Sequence, residues 1–172
     1  MSRTSAVTLR VLTTADIDHV MTWVNDHEVM AYFANRQTHI TREEELRYLD
    51  ELVASQNDRV YSIFAGDAYV GQCSVNQIYW PAKNGRLFVA IRRDAQGHSY
   101  GPAAIEQLLA IAWGELGLHK VWLIVRRENR AAQAMYLKLG FDFEGVLVDE
   151  YNVNGHYFDM VRMSIVNNIV SS

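Results

Sequence analysis

The chain has 172 residues, of which 49% are hydrophobic and 21% charged, and this predicts a single globular domain spanning residues 1–172. Its net charge of −4 and its lack of a basic run argue against a nucleic-acid partner. The single cysteine, Cys73, excludes an intramolecular disulfide, and no apolar run approaches the ~20 residues of a bilayer span, so we expect a cytoplasmic protein without a membrane partner.

The first third of the chain predicts one strand followed by two helices. Strand Val7–Leu12 leads into a helix for which Thr14 is the expected N-cap, because hydroxyl side chains favour that position. Thr41 and Glu44 form a capping-box pattern, which opens a second helix that runs to about Ser55. The apolar positions with helical spacing are Ile17, Val20, Met21 and Val24 in the first helix and Leu46, Leu49, Leu52 and Val53 in the second.

The hydrophobic pattern then changes to an alternating one, which indicates strands. Strands Tyr61–Ala65 and Tyr69–Trp80 flank the turn residues Gly66–Asp67 and form a predicted hairpin. A turn at residues 83–85 separates this hairpin from a further strand at Leu87–Arg92.

The second half predicts helix Ala103–Leu116, a short apolar strand Val121–Val125 of the kind buried in a sheet centre, and helix Arg130–Leu139. Gly140 follows directly and is a typical residue for the end of a helix.

The tail predicts a long hairpin, Glu144–Val153 and Tyr157–Val166, because Asn154–Gly155 is a strong type I′ turn signal. The predicted order is β-α-α-β-β-β-α-β-α-β-β. It indicates an α/β fold class, with a mixed sheet and helices on both faces.

A short polar loop, Gln96–Gly101, joins the strand at Leu87–Arg92 to the following helix, and Pro102 comes next. Proline is typical of the first helical position, which places the start of the helix at about Gly101. Backbone N–H groups of the loop and the positive end of the helix dipole then form an anion site suited to phosphate. The alternative is a tight turn without a ligand. The loop lacks the Gly-Lys-Ser/Thr ending of a Walker motif and does not match the GxGxxG motif, which argues against binding of nucleoside triphosphates and NAD.

Two motifs together resemble one family. The loop Gln96–Gly101 is similar to the pyrophosphate motif Gln/Arg-x-x-Gly-x-Gly/Ala of the GNAT superfamily of N-acetyltransferases, and Asn129–Phe141 resembles its pattern Asn-x-x-Ala-x-x-x-Tyr-x-x-x-Gly-Phe. The resemblance runs from Leu9 to Ile165, and the final hairpin resembles the branch with spermidine and ribosomal-protein N-terminal acetyltransferases. It implies the GNAT acyl-CoA N-acyltransferase fold, a central twisted and mostly antiparallel sheet flanked by helices, with acetyl-CoA as co-substrate.

By this resemblance the strand Val89–Ile91 pairs with the pantetheine arm of CoA, and an N–H at Val89 or Ala90 polarises the thioester carbonyl. The alternative is an ordinary central strand. The sequence departs from the motif at two positions: Ser99 replaces its first glycine, and Pro102 supplies no N–H. We expect both departures to be tolerated, and a weakened CoA site is the alternative. Asn129 is expected to cap its helix, to bind pantetheine, or both. The expected cofactor-binding residues are Val89, Ala90, Ile91, Gln96, Gly97, His98, Ser99, Tyr100, Gly101 and Asn129.

Tyr136 is the expected catalytic residue, since a phenol with a pKa near ~10 can protonate the departing thiolate; half-buried packing is its alternative role. The general base is open. Some relatives place a glutamate on the strand before the loop, where this chain has Arg86, so Asp149, Glu150 and His39 stay as candidates. No residues have the spacing of a metal site. Cys73 is expected in the core.

The acceptor pocket is expected, by resemblance, between Tyr32–Ile40, Tyr79–Trp80 and Tyr151–Asn152. The predicted reaction is direct transfer of the acetyl group to a primary amine of a small molecule, such as a polyamine or an amino sugar. Acetylation of protein N-termini and non-catalytic acyl-CoA binding are the alternatives. The oligomeric state is not determined, and a homodimer stays open. The expected substrate-binding residues are Tyr32, His39, Tyr79, Trp80, Glu150 and Tyr151.

Overall fold

The computed structural model describes residues 6–31 and 39–168. Three short 3-10 turns, Thr14–Asp16, Trp80–Ala82 and Arg93–Ala95, accompany the main elements. The helices are α1 (Ile17–Val20), α2 (His27–Met30), α3 (Arg42–Ala54), α4 (Tyr100–Gly114) and α5 (Arg130–Lys138). The strands are β1 (Thr8–Val11), β2 (Arg59–Ala65), β3 (Ala68–Tyr79), β4 (Asn84–Ile91), β5 (Lys120–Arg126), β6 (Asp142–Val153) and β7 (His156–Val166).

The seven strands form one sheet in the order β1-β2-β3-β4-β5-β7-β6. Neighbouring strands are antiparallel except for β4 and β5, which are parallel. The crossover between these two strands contains α4, as a parallel connection requires. The predicted mixed, mostly antiparallel sheet is therefore confirmed.

Apolar side chains cover both faces of the sheet. On one face, Ile105 and Leu108 of α4 are fully buried in a cluster with sheet residues such as Leu123. On the other face, Val20 and Leu49 pack in a second cluster that includes sheet residues on β2, β3 and β4. This arrangement confirms helices on both faces.

The predicted first helix differs from the observed structure. Thr13, not Thr14, is the N-cap, because the Asp16 carboxylate accepts a hydrogen bond from the Thr13 N–H at 2.9 Å. A 3-10 turn and the four-residue α1 replace a continuous helix, although Val24 beyond them is still buried. In the second helix Val53 is 53% exposed, so its assignment to the apolar face was wrong.

Other local predictions are confirmed. Thr41 and Glu44 form the capping box of α3, with hydrogen bonds of 2.9 and 3.2 Å. Asn154 and Gly155 both have positive φ, as a type I′ turn requires. β4 begins at Asn84, earlier than predicted. Within the described ranges, no helix is long and apolar enough to cross a bilayer.

Candidate active site

The parallel strands β4 and β5 pair over only three positions, from Asn84–Lys120 to Arg86–Trp122. Beyond Arg86, β4 continues to pair with β3 as far as Ile91, while its other side has no pairing with β5. Backbone N–H and C=O groups on that side are therefore available to an extended ligand, which can add to the sheet as a strand would.

A cavity of about 570 Å³ opens at this gap, and we call it the inner cavity. Its walls come from β4, the loop before α4, β5, α5 and the final hairpin. It brings together ten residues already named from the sequence in connection with the site: Arg86, Val89, Ala90, Ile91, Gln96, Gly97, Gly101, Asn129, Tyr136 and Tyr151.

The loop at one end of the inner cavity has unpaired backbone donors. No backbone carbonyl in the described ranges accepts a hydrogen bond from the N–H groups of residues 97–101. Gly97 has φ +81° and Ser99, the N-cap of α4, has φ +61°, so serine adopts the left-handed conformation that the motif usually gives to glycine. The helix dipole and these N–H groups suit a phosphate.

His98, Ser99 and Tyr100 do not line the inner cavity. The rings of His98 and Tyr100 stack with their centroids 5.4 Å apart, and Tyr100 also packs against the core cluster that contains Ile105 and Leu108. The Gln96 side chain donates a hydrogen bond to the Ile91 carbonyl at 3.1 Å, which ties the loop to the end of β4.

Tyr136 lies on α5 and Asn129 lies at the N-terminus of that helix. Both line the wall of the inner cavity that faces β4. Burial raises the pKa of the Tyr136 phenol to about 12, so the group is protonated at neutral pH and can act as a proton donor. Its ring contacts Phe141 edge to face, with centroids 5.6 Å apart. Asn129 is the predicted N-cap, since its side-chain oxygen accepts from the Ala132 N–H at 3.2 Å.

A second cavity of about 570 Å³, the outer cavity, lies between α3 and the sheet. Three carboxylates line it: Glu45 is buried, Asp58 half-buried and Glu51 exposed. Gln72 also lines it, is 7% exposed, and its side-chain oxygen has no hydrogen-bond partner in the described part of the chain. An orphaned buried acceptor beside carboxylates suits a ligand that donates hydrogen bonds and carries positive charge.

Arg86 is the one described residue that lines both cavities. Its Nη2 donates a hydrogen bond to the Tyr151 hydroxyl at 3.1 Å. Its Nε is buried without a hydrogen-bond partner among the described residues, and no carboxylate in those ranges forms an ion pair with it. The side chain that the two cavities share therefore carries a positive charge, and we call the space beside it the passage.

The other predicted substrate residues lie elsewhere or outside the described residues. Tyr79 and Trp80 are exposed at the end of β3, and the Trp80 indole N–H donates to Asn57 at 3.1 Å. They line neither cavity, and neither do the exposed His39 and Glu150. Tyr32 lies outside the described residues.

From the sequence, Cys73 is expected in the core and no residues have the spacing of a metal site. Cys73 is fully buried in the core, as expected, and burial raises the pKa of its thiol. Among the described residues, no group of three or more His, Cys, Asp or Glu side chains is placed to hold a metal ion.

The outer cavity was not predicted from the sequence. Its floor is a polar row on β3, Gln72, Ser74 and Asn76, whose members pair with Ala90, Phe88 and Arg86 of β4. The period-two polar spacing in an otherwise apolar strand was the available signal, because such residues share one face of the sheet.

The sequence pattern of the family described as an acetyltransferase (GNAT) domain matches residues 6–142. Spermidine N(1)-acetyltransferase of Vibrio cholerae serotype O1 is 28% identical over 162 residues, covering 94% of both chains. Spermidine N(1)-acetyltransferase of Escherichia coli strain K12 is 28% identical over 165 residues, covering 96% of this chain and 88% of that protein.

Solved structures match at the level of the whole fold. The crystal structure of spermidine N-acetyltransferase from Vibrio cholerae in complex with CoA and spermine has a TM-score of 0.87 and 26% identity, and the match covers 93% of this chain and 95% of that one. The N152L mutant of the Vibrio cholerae enzyme has a TM-score of 0.82 at 25% identity, over 93% of each chain.

Proposed function

The chain belongs to the GNAT acetyltransferase family, and on that premise we propose that its inner cavity holds acetyl-CoA and its outer cavity holds a polyamine. The enzyme is an acetyl-CoA-dependent N-acetyltransferase that acetylates a primary amine. Both bacterial relatives are named as spermidine N(1)-acetyltransferases. The proposed acceptor of this chain, a polyamine, is of the same chemical class as spermidine.

The proposed path of the co-substrate follows the free side of β4. The pantetheine arm adds to the backbone of residues 89–91, and the pyrophosphate lies against the N–H groups at the start of α4. This places the thioester toward the Arg86 end of the inner cavity, near the passage to the outer cavity.

The proposed reaction is direct attack in a ternary complex. The neutral amine attacks the thioester carbonyl, a C–N bond forms, and backbone N–H groups of β4 stabilise the oxyanion. As the C–S bond breaks, Tyr136 donates its phenolic proton to the thiolate, and the proton lost by the attacking nitrogen restores the phenol. The raised pKa of Tyr136, about 12, supports this role because the donor stays protonated.

The acceptor proposal is supported by the chemistry of the outer cavity. A polyamine carries several ammonium groups, each a strong hydrogen-bond donor. Glu45, Glu51 and Asp58 supply negative charge, and the unpartnered oxygen of Gln72 supplies a buried acceptor. The observation that carries the proposal is that this acidic cavity meets the inner cavity at a single shared residue, Arg86.

We also propose a cytoplasmic enzyme that forms homodimers. The buried free thiol of Cys73 is compatible with a reducing compartment. The edge strand β6 presents exposed Phe143 and Val148, 59% and 74% accessible, which a second copy of the chain would cover. Sedimentation of the purified protein tests this assembly, and a monomer at all concentrations contradicts it.

The test of the function is thiol release from acetyl-CoA in the presence of a panel of amines. We expect turnover with spermidine and spermine above that with amino sugars and peptide N-termini. Turnover of a peptide N-terminus in preference to polyamines would overturn the acceptor proposal. CoA binding without thiol release for any amine would instead support a non-catalytic binding module.

A further inference from the structure

The reacting amine must lose a proton before it attacks, and the inner cavity lacks a free carboxylate to accept it. All 20 Asp and Glu residues of the chain lie within the described ranges. Of these, only Glu28 lines the inner cavity, and its carboxylate forms an ion pair with Arg93 at 2.9 Å. Deprotonation of the amine therefore needs another explanation.

The charge nearest to the passage between the cavities is positive. Arg86 lines both cavities, and its single hydrogen bond among the described residues goes to the neutral hydroxyl of Tyr151. Trp122, its partner in the β4–β5 ladder, has two guanidinium groups over its ring, Arg86 at 6.0 Å and Arg162 at 4.1 Å. Arg162 donates a hydrogen bond to Glu144. The guanidinium of Arg86 thus faces the passage without a compensating carboxylate.

We propose that Arg86 promotes the reaction by lowering the pKa of the amine that enters this passage, in place of a general base. The inference rests on the proposed function, since it assumes a protonated amine acceptor. A like charge within a few ångströms disfavours the protonated form of an amine, commonly by about 1–3 pKa units. The ammonium loses its proton to solvent as it arrives beside Arg86, and the neutral nitrogen attacks the thioester.

The charged groups around Arg86 act differently on the two ends of the acceptor: those of the outer cavity favour ammonium groups, and those of the inner cavity do not. In the outer cavity, Glu45, Glu51 and Asp58 favour ammonium groups and hold the distal nitrogens of the acceptor. The phenol of Tyr48 also lines that cavity.

In the inner cavity, the Glu28 carboxylate forms an ion pair with Arg93 at 2.9 Å. Tyr136 is uncharged, because its pKa is about 12. Of the groups that line the inner cavity, the Arg86 charge therefore dominates at the reacting nitrogen, while the acids of the outer cavity act mainly on the rest of the molecule.

The pH profile of kcat tests the proposal, because kcat reports the ionisation of groups in the enzyme–substrate complex. With saturating acetyl-CoA and spermidine, kcat should rise with pH as the amine loses its proton, and we expect Arg86→Gln to shift the midpoint of this rise upward by about 1–2 pH units. Activity at pH 7 should fall roughly tenfold or more and recover toward the wild-type value near pH 10. Arg86→Lys keeps the charge and should keep the wild-type profile.

Two results would overturn the role of Arg86. One is an Arg86→Gln profile with the wild-type midpoint, whatever its amplitude, which would indicate a structural role. The other is an Arg86→Lys profile shifted as far as that of Arg86→Gln, since the charge would then not be the cause.

A binding measurement without turnover gives an independent answer. Calorimetric titration of the CoA complex with spermidine, in two buffers of different ionisation enthalpy, counts the protons released on binding. At about pH 9.5, between the lowered pKa and the ordinary amine pKa of ~10.4, the wild type should release roughly half a proton or more per amine beyond Arg86→Gln, and equal counts would overturn the proposal. If wild type neither binds nor acetylates spermidine, the polyamine proposal fails, and the same measurements with the amine found in the panel still decide the role of Arg86.

Discussion

Arg86 and Tyr151 join the centre of the sheet to its edge hairpin, because the guanidinium of the first donates to the hydroxyl of the second at 3.1 Å. A bulge in β6 accompanies this contact: the register with β7 shifts between Leu147 and Tyr151, and Asp149 adopts φ +51°. The Asp149 N–H is held by the Asp159 carboxylate at 2.9 Å. A bulge that redirects a side chain beside a candidate active site is a recurrent device in sheets.

Tyr151→Phe should lower kcat roughly 3- to 10-fold, because the guanidinium of Arg86 loses the hydrogen bond that orients it, a bond typically worth about 1 kcal/mol. Thiol release at saturating acetyl-CoA and spermidine measures the change. Tyr157→Phe, on the exposed part of the same hairpin, is the matched control and should behave as wild type. Equal activity of Tyr151→Phe and wild type would contradict the orienting role.

Tyr136→Phe should reduce kcat about 10²- to 10⁴-fold, the usual contribution of a general acid. The affinity for CoA should stay nearly unchanged, because the hydroxyl has no hydrogen bond to the described protein and the ring remains. Stopped-assay thiol release and calorimetry measure the two quantities. A parallel loss of CoA affinity would show that the tyrosine is structural.

The raised pKa of the Tyr136 phenol also predicts the pH dependence of kcat. With its pKa raised to about 12, Tyr136 stays protonated throughout the neutral and mildly alkaline range. Below about pH 11, wild-type kcat should therefore show no alkaline decline caused by Tyr136. The profiles of wild type and Tyr136→Phe should have the same shape in that range. A decline near pH 9 that disappears in Tyr136→Phe would mean that the phenol ionises far more easily than its burial implies.

Gly97→Val should weaken CoA binding by at least tenfold, because β-branched residues rarely adopt φ +81° and the loop must rearrange. Gly66→Val is the matched control. Gly66 also has positive φ, +62°, and open space for a side chain, but it lies in the β2–β3 turn. Both variants should lose stability to a similar degree, whereas only Gly97→Val should lose CoA affinity. Unchanged affinity in Gly97→Val would contradict the placement of the pyrophosphate at this loop.

Several elements near the candidate site were predictable because each follows from local chemistry. Asn129 caps a helix, Gly140 ends it with φ +96°, and Asn154–Gly155 closes a hairpin, and each signal needs only its neighbours in sequence. The pairing within the two predicted hairpins also followed, since a short turn joins the strands of each hairpin.

The outer cavity could not be predicted in the same way, since it depends on how α3 is positioned over β3. Gln72 and Ser74 alternate with apolar residues in the sequence, but the pattern does not say whether their face meets a helix, a ligand or water. Arg86 was read only as the departure from an expected glutamate. Its position between two cavities becomes visible only when β3, β4 and the final hairpin are assembled.

Glu51→Gln should raise KM for spermidine roughly 2- to 5-fold with little change in kcat, because an exposed charge pair contributes up to about 1 kcal/mol. The effect should shrink in 0.5 M salt, which screens exposed charges. Asp50→Asn removes an equal charge from the neighbouring position of α3, which does not line the cavity, and should leave KM unchanged. Equal effects of the two variants would indicate a general field of the helix rather than a site.

Glu144 accepts hydrogen bonds from Lys120 at 2.6 Å and from Arg162 at 3.1 Å, and the pKa of its carboxyl is lowered, first of all by the bond to Lys120. A depressed folded-state pKa stabilises the protein above the unfolded-state value and loses that effect as pH falls through the folded value. Glu144→Gln should therefore reduce the free energy of unfolding by about 0.5–1 kcal/mol at pH 7, a magnitude limited by solvent screening.

At a pH below the lowered pKa of Glu144, the carboxyl of the wild type is protonated in both states, and the difference from Glu144→Gln should vanish. Urea unfolding at a series of pH values between 3 and 7 measures the difference. Glu106→Gln, an exposed position on α4, controls for loss of a single negative charge. A deficit in Glu144→Gln that persists undiminished at pH 3 would show that the carboxylate stabilises the hairpin through packing, since the ionic contribution disappears once the group is protonated.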